Sequence, residues 1–298
     1  MNFSIDNLKT VKDFIRWGAS RFSEAKLTFG HGLSSPIDEA AYLVLSALHL
    51  PVDTSHNYWD GCLTSSEIET VKTLLIKRVT ERKPAAYLTN EGWFAGLPFF
   101  VDERVLVPRS PIAELVETQF SPWIDPDEVT SILDLCTGSG CIGIASAYAF
   151  GNAEVDLADI SQDAIDVANI NIQRHDAEQQ VQAVQSNLFD SLEGQKYNII
   201  VSNPPYVDED DMSALTEEFL HEPELGLSSG ENGLDLTVKI LHQAADYLAE
   251  NGILVVEVGN SQYALEHLYP DVPFQWLEFE RGGDGVFLID KHQLEMFF

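Results

Sequence analysis

From residue 131 onward, short apolar runs rich in β-branched residues alternate with segments of helical apolar spacing, and no other feature restricts the fold of this chain as much. Strands are expected at 131–136 (SILDLC), 154–160, 181–187, 197–203 (YNIIVSN), 252–259 (GILVVEVG), 274–280 and 285–290. Helices are expected at 141–150, 161–176, 233–250 and 260–269. Such alternation gives an α/β fold, a Rossmann-like sheet buried by helices on both faces. Only Arg281-Gly282-Gly283-Asp284 separates the last two strands, too few residues for a parallel crossover, so the final strands pair antiparallel.

Upstream, the period is helical throughout. Phe14, Ile15 and Trp17, then Ala40, Leu43, Val44, Ala47 and Leu48, then Ile68, Val71, Leu74 and Leu75 fall at helix spacing, and Thr64-Ser65-Ser66-Glu67 is a capping signal. A small helical domain at 1–88 is expected. Residues 91–108, with aromatics around Gly96-Leu97-Pro98, read as a hairpin that joins it to a second domain at 89–298; Trp93, Phe94, Phe99 and Phe100 are expected to pack that hairpin.

The chain carries 17 basic and 48 acidic residues in all, and residues 1–90 hold ten of each. Residues 91–298 therefore hold seven basic against thirty-eight acidic residues. A surface of that sign repels phosphates and attracts cationic partners, so nucleic-acid binding is not expected and a basic protein is. Solubility or a saline habitat would produce the same acidity. Three scattered cysteines, Cys62, Cys136 and Cys141, form neither a disulfide framework nor a metal site. With no leader-like segment and no run near the roughly 18 apolar residues of a membrane span, a cytoplasmic protein is expected.

Two turns carry the chemistry. Asp134-Leu135-Cys136-Thr137-Gly138-Ser139-Gly140 leaves a strand and opens a helix, where open α/β sheets bind nucleotides. Gly138 and Gly140 admit a ligand close to the backbone. The next strand ends in Asp159, a carboxylate suited to both hydroxyls of a ribose. With the third glycine position read at Ile144, the loop is not taken as a dinucleotide fingerprint. S-adenosylmethionine needs no phosphate cradle, and its sulfonium suits a pocket containing Asp134, unless Asp134 instead caps local amides.

The second turn, Asn203-Pro204-Pro205-Tyr206, ends the strand YNIIVS. Two prolines fix φ and leave carbonyls free, so the loop is rigid and rich in acceptors. A planar amide or amino nitrogen that is to attack a methyl group needs its N–H donors held. The Asn203 side-chain oxygen and the Pro204 carbonyl do that, with Tyr206 against the planar group. Catalysis of this kind rests on positioning, which is worth about 7–11 kcal/mol in favourable cases.

With the segments VLVPRSPIAEL (105–115), LDLCTGSG (133–140), SNPPY (202–206), HEPELGLSSGENGLDL (221–236), VEVGNS (256–261) and WLEFERGGDGVFL (276–288), the chain resembles the HemK-like glutamine N(5)-methyltransferases. It is most similar to the branch that acts on large-subunit ribosomal protein L-three. The resemblance implies a class I methyltransferase domain behind a helical substrate-recognition domain. It implies transfer from S-adenosylmethionine to a glutamine side-chain amide, with Asn203, Pro204, Pro205 and Tyr206 at the reacting centre. Asp134, Thr137, Gly138, Ser139, Gly140, Asp159, Asn187, Leu188 and Asn203 would lie at the cofactor, Asn187 or Leu188 near the adenine. No metal is implied. Two positions depart from the pattern: Cys136 stands where the loop's first glycine is usual, at a φ expected to suit a non-glycine residue, and Leu188 replaces a tryptophan.

The same chemistry on the Gly-Gly-Gln of release factors, a nucleic-acid amino methyltransferase, and a catalytically silent binding module are the competing readings. His221 and Glu222 either border a substrate cleft or form a surface turn. Arg109 either reaches the cofactor carboxylate or pairs with an acidic neighbour.

Overall fold

The computed structural model describes residue 5 and residues 7–298, so residues 1–4 and 6 of the expected helical domain lie outside it. The chain divides into two compact units, Met1–Gly92 with Thr216–His221, and Trp93–Leu215 with Glu222–Phe298.

In the first unit, α1 (Val11–Glu24), α2 (Pro36–Ala47) and α3 (Ser65–Glu81) are followed by the short α4 (Ala85–Thr89). Thr10 and Thr64 close capping boxes with Asp13 and Glu67, and Ser35 caps α2 ahead of Pro36. Each such cap contributes about 1 kcal/mol. Phe14, Phe22, Leu43, Val44, Val71 and Leu75 form the core. Arg78 lies wholly inside it, ion-paired with Glu39 of α2 and with Glu218. Glu218 also accepts the Thr28 amide and pairs with Arg82, which explains why residues 216–221, distant in sequence, belong to this unit.

The hairpin strands β1 (Gly92–Phe94) and β2 (Leu97–Phe99) come next, with Phe94 and Phe99 buried and Trp93 exposed. The second unit then runs α5 (Ile112–Glu117), β3 (Ser131–Leu135), α6 (Cys141–Ala149), β4 (Glu154–Asp159), α7 (Gln162–Arg174), β5 (Val181–Gln185) and β6 (Tyr197–Ser202). It continues through α8 (Glu209–Ala214), α9 (Asp235–Gln243), β7 (Leu248–Glu257), α10 (Gln262–Leu268), β8 (Gln275–Trp276), β9 (Val286–Asp290) and α11 (Lys291–Phe297).

The sheet order is β5-β4-β3-β6-β7-β9-β8. The first five strands are parallel, and β9 pairs antiparallel with β7 and β8, as the short 281–284 link requires. Alternate residues feed two cores. Ile132, Ile199, Val201, Ile253 and Val255 join one, and Leu133, Leu135, Ile200, Leu254 and Val256 the other.

Two expected elements differ. The helix expected to reach 250 ends at Gln243, because Tyr197 donates its amide to the Tyr247 carbonyl (2.8 Å) and pairs with Leu248, drawing 248–252 into an irregular strand start. Sheet pairing outweighs the apolar helical spacing there. The strand expected at 274–280 shrinks to Gln275–Trp276: the amides of Glu280 and Arg281 donate instead to the Glu114 carboxylate (2.9 and 2.8 Å). The sequence reading also has no element at 291–297, where Asp290 and Gln293 close a capping box that starts α11.

Candidate active site

The chain crosses over between β3 and β6, so their carboxyl ends flank the switch point where open α/β sheets bind ligands. Ser202 at the end of β6 donates its hydroxyl to the Leu135 carbonyl at the end of β3 (2.6 Å), which ties the two loop origins together.

In the loop after β3, Asp134 is fully buried. Its Oδ2 accepts the Thr137 hydroxyl (2.6 Å) and the Gly143 amide (2.8 Å), and Oδ1 has no partner among the described residues. Burial pushes this carboxyl up to about 7, against the pull of those two hydrogen bonds. Of the two roles open to Asp134, the capping of local groups is the one seen. The third glycine position is Gly143 and not Ile144, so Gly138, Gly140 and Gly143 do stand at G-x-G-x-x-G spacing. A Cβ on Gly143 would lie 2.1 Å from Leu157, and one on Gly140 3.0 Å from the same side chain. Both glycines therefore let α6 approach β4. Gly138 differs: at φ +55, a Cβ there meets nothing within 4 Å.

Cys136 lies at φ +60, in the left-handed region that favours glycine, so the expectation of a backbone suited to a non-glycine residue is corrected. The side chain costs about 1 kcal/mol in that conformation. Burial pushes the thiols of Cys136 and Cys141 up, the latter to about 12. Ser139 is buried, and its carbonyl accepts from Asn171 (2.8 Å).

Asp159 ends β4 and accepts the amides of Gly138 (2.9 Å) and Ser161 (2.9 Å) on separate oxygens. An ionised carboxylate offers about four acceptor positions, so each oxygen keeps capacity for a ligand hydroxyl. Burial raises its pKa and the amides oppose the rise. Ser186 beyond β5 donates its amide to the Asp159 carbonyl (2.9 Å). Asn187 next to it is exposed and bonded to Asp190 (3.1 Å), whereas Leu188 is buried at φ +50 among Phe189 and Leu192.

In the loop after β6, Pro204 and Pro205 are buried and Asn203 and Tyr206 half-buried. Neither the Asn203 side-chain amide nor the Pro204 carbonyl has a hydrogen-bond partner among the described residues. Tyr206 is held on several sides. Its hydroxyl donates to Glu257 Oε1 (2.9 Å), and its carbonyl accepts the Ser261 hydroxyl (3.1 Å). A Cβ on Gly259 would stand 2.6 Å from its ring. Burial and the facing carboxylate hold the phenol far above the ordinary tyrosine range.

Sequence reasoning passed over Glu257, Ser110, Gly259 and Ser261. The available signal was an acid in an otherwise apolar strand, GILVVEVG. Arg109 pairs with an acidic neighbour, the buried Glu222, through both terminal guanidinium nitrogens. His221 donates its Nε2–H to the Glu81 carbonyl (2.9 Å) within the helical unit. Among the described residues no helix is long and apolar enough to cross a membrane, and no group of three or more His, Cys, Asp or Glu could hold a metal ion.

Residues 120–233 match the family model of the methyltransferase small domain. A ribosomal protein uL3 glutamine methyltransferase of Francisella tularensis subsp. tularensis is 50% identical over 97% of this chain and 93% of its own length. One of the same name from Xanthomonas campestris pv. campestris is 50% identical over 97% of this chain and 94% of its own. A solved methyltransferase from Pyrococcus furiosus is 17% identical, at a TM-score of 0.46, over 66% of this chain and 89% of that one.

Proposed function

The chain belongs to the family of ribosomal protein uL3 glutamine methyltransferases, and from that membership we propose that it methylates the side-chain amide nitrogen of a glutamine in uL3, with S-adenosylmethionine as the methyl donor. The observation that carries this reading is the rigid loop after β6, which offers two acceptors, the Asn203 side-chain oxygen and the Pro204 carbonyl, with no partners among the described residues.

The residues after β3 and β4 fit the cofactor. Gly138 presents backbone with open space where a side chain would stand, and Asp159 retains acceptor positions for the ribose hydroxyls. Asp134, Thr137, Ser139 and Gly140 shape that loop from within, and Asn187 and Leu188 flank Asp159 from the neighbouring strand end. When bound, the cofactor supplies a methyl group made electrophilic by a cationic sulfur.

Everything else is the work of the loop. Asn203 and Pro204 each take one N–H of the glutamine amide, which fixes the nitrogen and leaves one face of it open to attack. Pro204 and Pro205 keep both acceptors from relaxing toward each other, and the Tyr206 ring packs on the amide plane. Its phenol is no base, because its proton is engaged by Glu257 and its pKa is raised. No separate base is needed before transfer, since the nitrogen becomes acidic only as it gains the methyl group. The value of the arrangement is orientation, for which near-attack geometry gives the largest return.

The acidic second part, with seven basic and thirty-eight acidic residues in 91–298, favours a basic protein over nucleic acid. We propose further that the helical unit recruits the substrate and that the enzyme meets uL3 in the cytoplasm before ribosome assembly, while its basic surface is uncovered. The test is transfer of labelled methyl to isolated uL3, to finished large subunits and to a release factor, at low and high ionic strength. Isolated uL3 is expected to be the best acceptor, with an encounter rate that falls as salt rises and a saturated rate that changes little. Preferential labelling of the release factor would move the protein to the competing substrate.

A further inference from the structure

The segment Val107–Pro108–Arg109–Ser110–Pro111–Ile112 is joined to the catalytic loop by buried polar groups to which none of the roles above applies. Glu257, at the end of β7, is 5% exposed and accepts two hydroxyls: Tyr206 on Oε1 at 2.9 Å and Ser110 on Oε2 at 2.5 Å. Ser110 in turn accepts the Ile112 amide (3.2 Å) at the start of α5. Arg109, adjacent in sequence, grips Glu222 through Nη1 at 2.5 Å and Nη2 at 2.9 Å, and Glu222 accepts the Val107 amide as well (3.0 Å). The Glu257 carboxylate has no ion pair of its own within the cluster. Two hydroxyl donors and the nearby Arg109 charge oppose its burial.

A buried carboxylate is costly unless its lone pairs are engaged, and a simple packing position would be better filled by an apolar residue. The rest of β7 from Ile253 to Val256 is apolar and buried, so the one acid in that stretch stands where it faces Tyr206. The backbone prepares the same contact: Gly259, at φ +46, approaches the Tyr206 ring so closely that a Cβ would stand 2.6 Å from it, and the phenol oxygen is the end that Glu257 fixes.

We propose that Glu257 is a positioning residue for methyl transfer, whose carboxylate, braced by Ser110 and balanced by Arg109, fixes the Tyr206 ring against the glutamine amide. This rests on the glutamine-methyltransferase reading of the same site. Its role is indirect: Glu257 touches neither the amide nor the cofactor. It sets where the aromatic wall of the amide slot stands, and small displacements of that wall matter because reacting atoms displaced by about 1 Å lose about a hundredfold in rate.

The experiment is a double-mutant cycle on the full-length protein with Glu257→Gln, Tyr206→Phe and both together, reading kcat with both substrates saturating, KM for uL3, the cofactor Kd and Tm. Each single variant is expected to lose about tenfold or more in kcat with cofactor affinity within about twofold of wild type. The double variant is expected to fall no more than about twofold below the worse single, because both act on the same Tyr206–Glu257 hydrogen bond, Gln by removing its charge assistance and Phe by removing its donor. A residue that merely supports the fold would lower Tm and leave kcat at saturation unchanged, and that result overturns the proposal, as do single losses that multiply in the double variant. Should Glu257→Gln not fold, Tyr206→Phe decides alone, since it keeps the ring and the carboxylate: a wild-type kcat overturns the proposal and a tenfold loss supports it. A wild-type protein that transfers no methyl to uL3 overturns the functional reading and this role with it, whereas active wild type beside fully active Glu257→Gln overturns this role alone.

Discussion

The loops that leave β3 and β6 are adjacent in the sheet and solve opposite problems. After β3, polar side chains are consumed internally: Asp134 binds Thr137 and the Gly143 amide, and Asp159 binds the Gly138 and Ser161 amides. What remains for a ligand is shape, the open backbone at Gly138, and spare acceptor positions on Asp159. After β6, proline supplies the rigidity that hydrogen bonds supply in the first loop, and the Asn203 amide and Pro204 carbonyl have no partner among the described residues. One loop is thus organised to be filled and the other to hold a substrate by its own donors. In the proposed function the division follows these differences, with affinity for the cofactor assigned to the first loop and rate to the second.

The largest effect that division predicts is at Asn203. Asn203→Ala should lower kcat by at least about a hundredfold, since orientation of the attacking nitrogen is lost, while calorimetry finds the cofactor Kd little changed. Equal losses in both would erase the distinction between the loops. Next comes Asp159→Ala, which should weaken cofactor binding by about tenfold to a hundredfold, the value of one or two charge-assisted hydrogen bonds, with kcat largely recovered at saturating cofactor. A Kd at the wild-type level would remove Asp159 from the site.

A smaller effect separates the two carboxylates. Asp134 takes up its proton near 4 when unfolded and at about 7 in the fold. The folded form therefore binds more protons between those values, and the contribution of Asp134 to stability declines as pH rises from about 4 to about 7. Thermal scans of the cofactor-free protein should show Tm of wild type minus Tm of Asp134→Asn becoming more negative, by a few degrees, across that window. A difference independent of pH would contradict the burial of a titrating acid there. The smallest effect is at Cys136. Cys136→Gly relieves left-handed strain of about 1 kcal/mol but adds a similar entropy loss on folding, so calorimetry should find Tm within about two degrees of wild type and cofactor affinity unchanged.

Much of this was readable from residue order. The parallel strands, the glycine turn, Asp159 and the Asn-Pro-Pro-Tyr turn announce themselves by local pattern, because strand period, φ restriction and turn chemistry act within a few residues. What escaped depends on contacts far apart in sequence. Helix spacing around 244–250 gave way to pairing of Leu248 with Tyr197, and strand spacing at 277–280 gave way to the carboxylate of Glu114. The role of Glu257 depends on Tyr206, 51 positions away, and nothing local in GILVVEVG announces it. Residues 216–221 looked like part of the sheet domain, yet Glu218 is engaged by Arg78 and Arg82 of the helical unit.

The most direct test of the account is to locate the transferred methyl group. Isolated uL3 should be incubated with the enzyme and isotopically labelled S-adenosylmethionine, digested, and sequenced by tandem mass spectrometry. A single label is expected on the side-chain nitrogen of a glutamine, absent when Asn203→Ala replaces the wild-type enzyme. Label on a lysine or arginine, or on a nucleic-acid amino group in preference to uL3, would contradict it.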